Sequence, residues 1–154
     1  MHFTQSPPVE FGFEKNLDEL VFQIKNHLKR EIRPMHPDQT WLEYSYKGIH
    51  SFGKDERFVA FTEREGSVLE FTIQNLRTED SFLGAPLTIG VDDFRKFLDQ
   101  KSIPWSLSWG DTLFLYENWM AFFIEDSLIS SILWYNPEVM PYLELLDLAF
   151  PPKN

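Results

Sequence analysis

The sequence predicts an α+β fold of antiparallel sheet and three helices, in the order α-ββββ-α-ββββ-α. Three observations carry this. Apolar residues recur at helical spacing from Leu17, from Val91 and near Tyr142. Between those stretches they alternate with period two in short runs, and Gly, Asn and Asp punctuate the runs at hairpin distances. With 154 residues, 43% of them hydrophobic and 15 of them Phe, the chain suits one domain, 1–154, large enough to bury a core without staples.

Asn16 is a good N-cap, and Glu19 completes a capping-box pattern. Leu17, Leu20, Val21, Ile24, Leu28 and Ile32 then form a stripe up to Pro34, which predicts one long first helix with Lys25, Lys29, Arg30 and Arg33 on its polar side. The segment Arg33 to Gln39, with Pro34 and Pro37, reads as a loop. Extended segments follow at about Trp41–Tyr46, Ile49–Phe52, Arg57–Glu63 and Ser67–Gln74, the last two as a hairpin around Arg64, Glu65 and Gly66 with one apolar and one polar face. A less ordered stretch, Asn75–Pro86, leads to a second helix on Val91, Phe94, Phe97 and Leu98, with Asp92 and Asp93 in its first turn and Pro104 beyond its end.

Strands are expected at Trp105–Trp109, Thr112–Glu117, Met120–Glu125 and Leu128–Tyr135, with turns near Gly110, Asn118 and Asp126-Ser127. Asn136-Pro137 reads as the start of the last helix, whose stripe is Tyr142, Leu145, Leu146 and Ala149. The two strand sets suggest a tandem duplication with halves 14–77 and 87–150, echoed in Leu17-Asp18-Glu19-Leu20 against Val91-Asp92-Asp93-Phe94.

Absent signatures narrow the chemistry. There is no Cys, which excludes disulfides, thiolate metal sites and a Cys nucleophile. No zinc-binding histidine spacing, nucleophile elbow or phosphate-binding glycine loop is present, so neither a metal nor a cofactor is expected. His36-Pro37-Asp38 is the best isolated proton-transfer pair, and Glu79-Asp80, Asp92-Asp93 and Glu125-Asp126 are the carboxylate pairs. An exposed loop histidine and solvated acids account for all of these. The N-terminal MHFTQSPPVEFGFE lacks a basic stretch followed by an apolar one, and no apolar run is long enough to span a bilayer, so a cytoplasmic protein is expected.

Charge is the informative feature. The net charge is −10, and 102–152 contains no Lys, Arg or His while holding seven acids and eleven aromatics, four of them Trp. Residues 1–77 sum to −2 and residues 78–154 to −8. Such a half repels phosphates, which argues against nucleic acid, and attracts basic surfaces. In its strands Leu113 and Leu115 oppose Phe114 and Tyr116, while Leu128, Ile132 and Trp134 oppose Ile129, Leu133 and Tyr135, so both sheet faces need covering. Trp105, Trp109, Tyr116 and Trp119 are expected to stay partly exposed and, with Asp111, Glu117, Asp126 and Glu125, to bind a basic protein partner. The expected function is therefore a non-enzymatic binding module, with an acidic immunity- or antitoxin-like inhibitor as its concrete form. A self-associating interaction domain, pairing its tryptophan strands as a homodimer, and a small ligand-binding protein or enzyme are the alternatives.

Overall fold

An eight-stranded antiparallel sheet joins the two halves of the chain, as a computed structural model that describes residues 1–34 and 38–151 shows. In chain order the elements are β1 (His2–Phe3), α1 (Leu17–Gln23), β2 (Lys25–Ile32), β3 (Glu43–Phe52), β4 (Asp55–Arg64), β5 (Ser67–Ile73), β6 (Ser81–Phe82) and β7 (Ala85–Pro86). Then come α2 (Val91–Gln100), β8 (Ser106–Ser108), β9 (Thr112–Leu115), β10 (Met120–Glu125), β11 (Leu128–Tyr135) and α3 (Tyr142–Ala149). The α+β class and the antiparallel pairing agree with the sequence reading.

The strand order is β2-β3-β4-β5-β11-β10-β9-β8. Each meander thus meets the other through its last strand, with Phe71 opposite Trp134 and Ile73 opposite Ile132 at the seam. Both β2 and β8, the first strands of the two meanders, lie at the outer edges.

One expectation is corrected at the start of this sheet. The N-cap is real, since Asn16 Oδ1 accepts from the Glu19 N–H at 2.9 Å. The helix, however, stops at Gln23, Ile24 is extended at φ −96° and ψ 126°, and Lys25–Ile32 pairs with β3. Leu28 and Ile32 mislead because a spacing of four satisfies a helical stripe and one face of a strand equally well. The ten-residue β3 supplies the competing backbone partner. Trp41–Tyr46 and Ile49–Phe52 are accordingly one strand, not two.

Two cores result. On one face α1 brings Leu20, the extended residue after it brings Ile24, and α2 brings Phe94 and Leu98, onto Val59, Phe61, Phe71, Ile73, Leu113, Phe122 and Trp134. On the other, α3 lays Leu145 and Ala149 over Phe114, Ala121, Leu133 and Tyr135. The second half is therefore covered on both sides from within the chain. A register shift between Phe123 and Ile124 moves Ile129 into the first core, against the simple alternation that placed it with Leu133.

The stretch 75–86 is more ordered than expected. β6 pairs with β1 in parallel and with β7 antiparallel, and Phe82 and Leu87 are fully buried. The Asp80 carboxylate there accepts from Arg57 Nη1 at 2.6 Å and Nη2 at 2.7 Å, from the Arg77 N–H at 2.7 Å and from the Met1 amino group at 2.6 Å.

The last helix begins at Tyr142, later than Asn136-Pro137 suggests. Asn136 instead caps a turn, its carbonyl accepting from Val139 and Met140 and its Oδ1 from Glu138. A helix continuing through Pro141 would lose a backbone bond and crowd the carbonyl of Pro137, so α3 starts after that proline. No helix among the described residues is long and apolar enough to cross a membrane.

Candidate functional site

The site is built on the hairpin of β8 and β9. Trp109 and Gly110 occupy the centre of its turn at φ +54° and +72°, and the Asp111 N–H closes it on the Ser108 carbonyl at 3.3 Å. Two positive φ values suit the twist of a hairpin, and Asn or Gly ordinarily supplies them. Tryptophan in this conformation costs about 1 kcal/mol, yet the residue is 65% exposed and offsets little of that by burial. A strained, solvent-facing indole is a feature that packing does not explain.

The neighbouring hairpin of β10 and β11 turns at Asp126 and Ser127, again with positive φ at both. The Ile124 N–H bonds the Asp111 carbonyl at 2.8 Å, so Trp109, Asp111, Glu125 and Asp126 crowd one end of the sheet. α2 begins beside them, tied by the Val91 N–H to the Ser127 carbonyl at 3.1 Å. Between these elements lies a cleft of about 460 Å³, lined by Ile89, Leu107, Ile124, Asp92, Asp93 and Asp126 among others. Asp92 and Asp93 pair with Arg95 and Lys96, whereas Asp111, Glu125 and Asp126 have no ion pair among the described residues.

On the other side of β8 runs a groove of about 580 Å³ between that strand and the end of α3, lined by Trp105, Ser106, Leu107, Trp109, Phe150 and Pro151 together with Ala149. Trp105 is half-buried, its Nε1–H donating to Asp99 at 2.8 Å, with the Arg95 guanidinium 5.3 Å from its ring centre. Tyr116 reaches this groove indirectly, packing edge-on to Phe150 at 5.0 Å. Trp119 stands apart: its ring lies 5.1 Å from Tyr142 and its Nε1–H bonds the Met140 carbonyl at 3.3 Å, so it seats α3. Glu117 is exposed in the same turn. The eight residues singled out in the sequence therefore divide: Trp105, Trp109, Asp111, Glu125 and Asp126 lie on or beside the β8–β9 hairpin, while Tyr116, Glu117 and Trp119 share the β9–β10 turn at the opposite end, with Tyr116 reaching Phe150.

Two polar groups were not visible in the sequence reading. Ser106 Oγ is buried without a hydrogen-bond partner among the described residues. Glu70 sits in a trough of about 190 Å³ on the uncovered face of β3, β4 and β5, with Ser45, Lys47, Thr62, Thr72 and Ser131 around it. Desolvation raises its pKa to about 7, against the opposing hydrogen bond from Thr62 Oγ1. A lone acid between Leu69 and Phe71 in a strand was the available signal for Glu70; nothing comparable marked Ser106.

His36 and Pro37 lie outside the described residues, and Asp38 is exposed. Of the acid pairs, Asp80 is consumed by Arg57, and Asp92-Asp93 stand in the first turn of α2. Among the described residues no group of His, Asp and Glu is arranged to hold a metal ion. No protein-family model, curated protein or solved structure matches the chain.

Proposed function

We propose that this chain is a cytoplasmic, non-enzymatic binding module that docks on a basic protein and neutralises it, in the manner of an immunity or antitoxin-like inhibitor of a toxin such as a nuclease. The observation that supports the reading is Trp109, held exposed in a strained turn beside three carboxylates that have no ion pair among the described residues. An exposed indole supplies buried area and a face for a cation, and the surrounding acids supply attraction at a distance. Complementary charge of this kind raises association rates and suppresses like-charged partners, which suits rapid capture of a basic enzyme.

The test is capture of partners from native lysate on the tagged full chain at low and moderate salt, followed by assay of the retained protein with and without the chain. A stoichiometric basic protein, lost as salt rises and weakened at least ten-fold by Trp109→Ala, is the expected result. A stable homodimer by light scattering, with no other protein retained, would overturn the reading and assign the exposed tryptophan to self-association.

A further inference from the structure

We infer that β8 is a docking strand: an extended basic segment of the partner adds to its free edge and sends one cationic side chain into the groove between β8 and the end of α3. The inference rests on the basic-partner reading and specifies the face and backbone geometry of that contact.

The two sheet edges differ in a telling way. β2 carries Lys25, Lys29 and Arg30 and a register irregularity between Lys25 and Leu28, devices that discourage another strand from pairing there. β8 has no charged residue, pairs among the described residues with β9 alone, carries Leu107, 40% exposed, and is flanked by Trp105 and Trp109. Charge and a bulge guard β2, whereas β8 has neither and is limited only by its three-residue length.

Ser106 points to what enters. Only 7% exposed, it lines the groove, and its Oγ has no partner among the described residues. Its neighbour on the same face, Ser108, shows the ordinary solution, donating to the Leu148 and Ala149 carbonyls at 3.0 and 2.7 Å. A buried hydroxyl left unsatisfied costs stability that a ligand donor would recover. The cross-strand neighbour of an added strand would stand beside this hydroxyl.

The sign of the occupant follows from α3. Its C-terminal end meets the groove with no basic residue in its last turn, and that end of a helix carries partial negative charge. The chain supplies no Lys, Arg or His from 102 to 151 to answer it, and among the described residues the cation over the Trp105 ring, Arg95, is already paired with Asp92. Ser108 already donates to the Leu148 and Ala149 carbonyls but brings no charge, so a lysine or arginine from outside would answer the negative helix end and lie against the indole faces above buried Ser106.

The experiment uses the full chain and a short synthetic peptide alternating lysine and valine, followed by residue-resolved NMR. Its glutamate-valine counterpart and two N-methylated forms, each blocking one alternate set of peptide N–H groups, are the comparisons. Expected are shifts at Ser106, Leu107 and Trp109, slowed amide exchange along β8, no binding of the acidic peptide, and loss of binding on methylating one set only. Ser106→Ala should weaken the peptide about three- to ten-fold while the unfolding midpoint of the free protein holds or rises, a combination that a purely structural hydroxyl would not give. Equal binding of both methylated forms, shifts confined to the Asp92, Asp93 and Asp126 cleft, or no binding of the lysine peptide would each overturn strand addition at β8. Failure of the basic-partner reading would show separately, as no salt-sensitive basic protein retained from lysate.

Discussion

Asp80 and Glu70 place two carboxyl groups in opposite situations. Burial alone would raise the pKa of Asp80, but hydrogen bonds from Arg57, from the Met1 amino group and from the Arg77 N–H outweigh it and hold the pKa at about 2. Its contribution is present above the ordinary value of 3.8 and is lost as pH falls through about 2. Asp80→Asn should cost about 3 kcal/mol in urea unfolding at neutral pH, the low end for a broken buried pair, because Asp55 still bonds Arg57 at 2.9 Å. Glu70 runs the other way. Its folded pKa of about 7 lies above the ordinary 4.5, so the folded state holds the proton more tightly and stability declines as pH rises between those values. Glu70→Gln should remove that decline, worth at most about 3 kcal/mol, and the difference between the two proteins across a pH series isolates it from the histidines. A parallel pH dependence in both would mean that Glu70 is freely solvated.

The first helix and its neighbours show what an element's sequence can and cannot reveal. Gly48 on β3 lies under the junction of α1 and β2, and a Cβ there would overlap Ile24 Cγ2 and come within 2.7 Å of the Lys25 carbonyl. Gly48→Ala should therefore destabilise by about 1–3 kcal/mol in thermal or urea unfolding, as overpacking does, with no effect on partner binding at the far edge of the sheet. An unchanged midpoint would mean that the junction can move away. This close approach is also why the helix ending was not legible: it depends on β3 lying beneath Ile24, a long-range contact that local periodicity does not contain. By contrast β10 and β11 were legible to the residue and β8 and β9 to within two, because each hairpin carries its own turn residues and each strand alternates locally, and the stripe of α2 was legible too. For the site, the acidic and aromatic character of the second half was readable directly, and Trp109 next to Gly110 marked a turn. The division of those residues between opposite ends was not readable, since hairpin loops alternate ends, and only the pairing of Tyr116 with Phe150 and Trp119 with Tyr142 reveals which are already employed. Ser106 was illegible for a further reason: its missing partner is a property of α3 arriving over β8.

At the scale of the whole molecule, net charge and its placement make separable claims. A net charge of −10 attracts any basic protein weakly, whereas a cluster at one end of the sheet steers a particular face of the partner toward Trp109. Replacing Asp111, Glu125 and Asp126 with lysine moves the net charge to −4. The same change at Glu14, Glu56 and Glu65, all exposed and away from the hairpin, gives an equal total elsewhere. The first triple variant should slow association with the captured partner by about ten-fold or more at low salt, with the difference fading near physiological ionic strength, where exposed charges are screened beyond roughly 8 Å. The second should slow it far less. Neither should shift the unfolding midpoint greatly, because exposed charges away from ion pairs change stability little. Stopped-flow mixing over a salt series reads the rates directly. Equal slowing by both variants would mean that the partner senses only total charge, and the end of the sheet at Trp109 would lose its claim to be the face that meets it. Slowing confined to the first variant, with dissociation set mainly by Trp109, would divide the labour as the structure arranges it: carboxylates to bring the partner in, and the indole on its strained turn to keep it there.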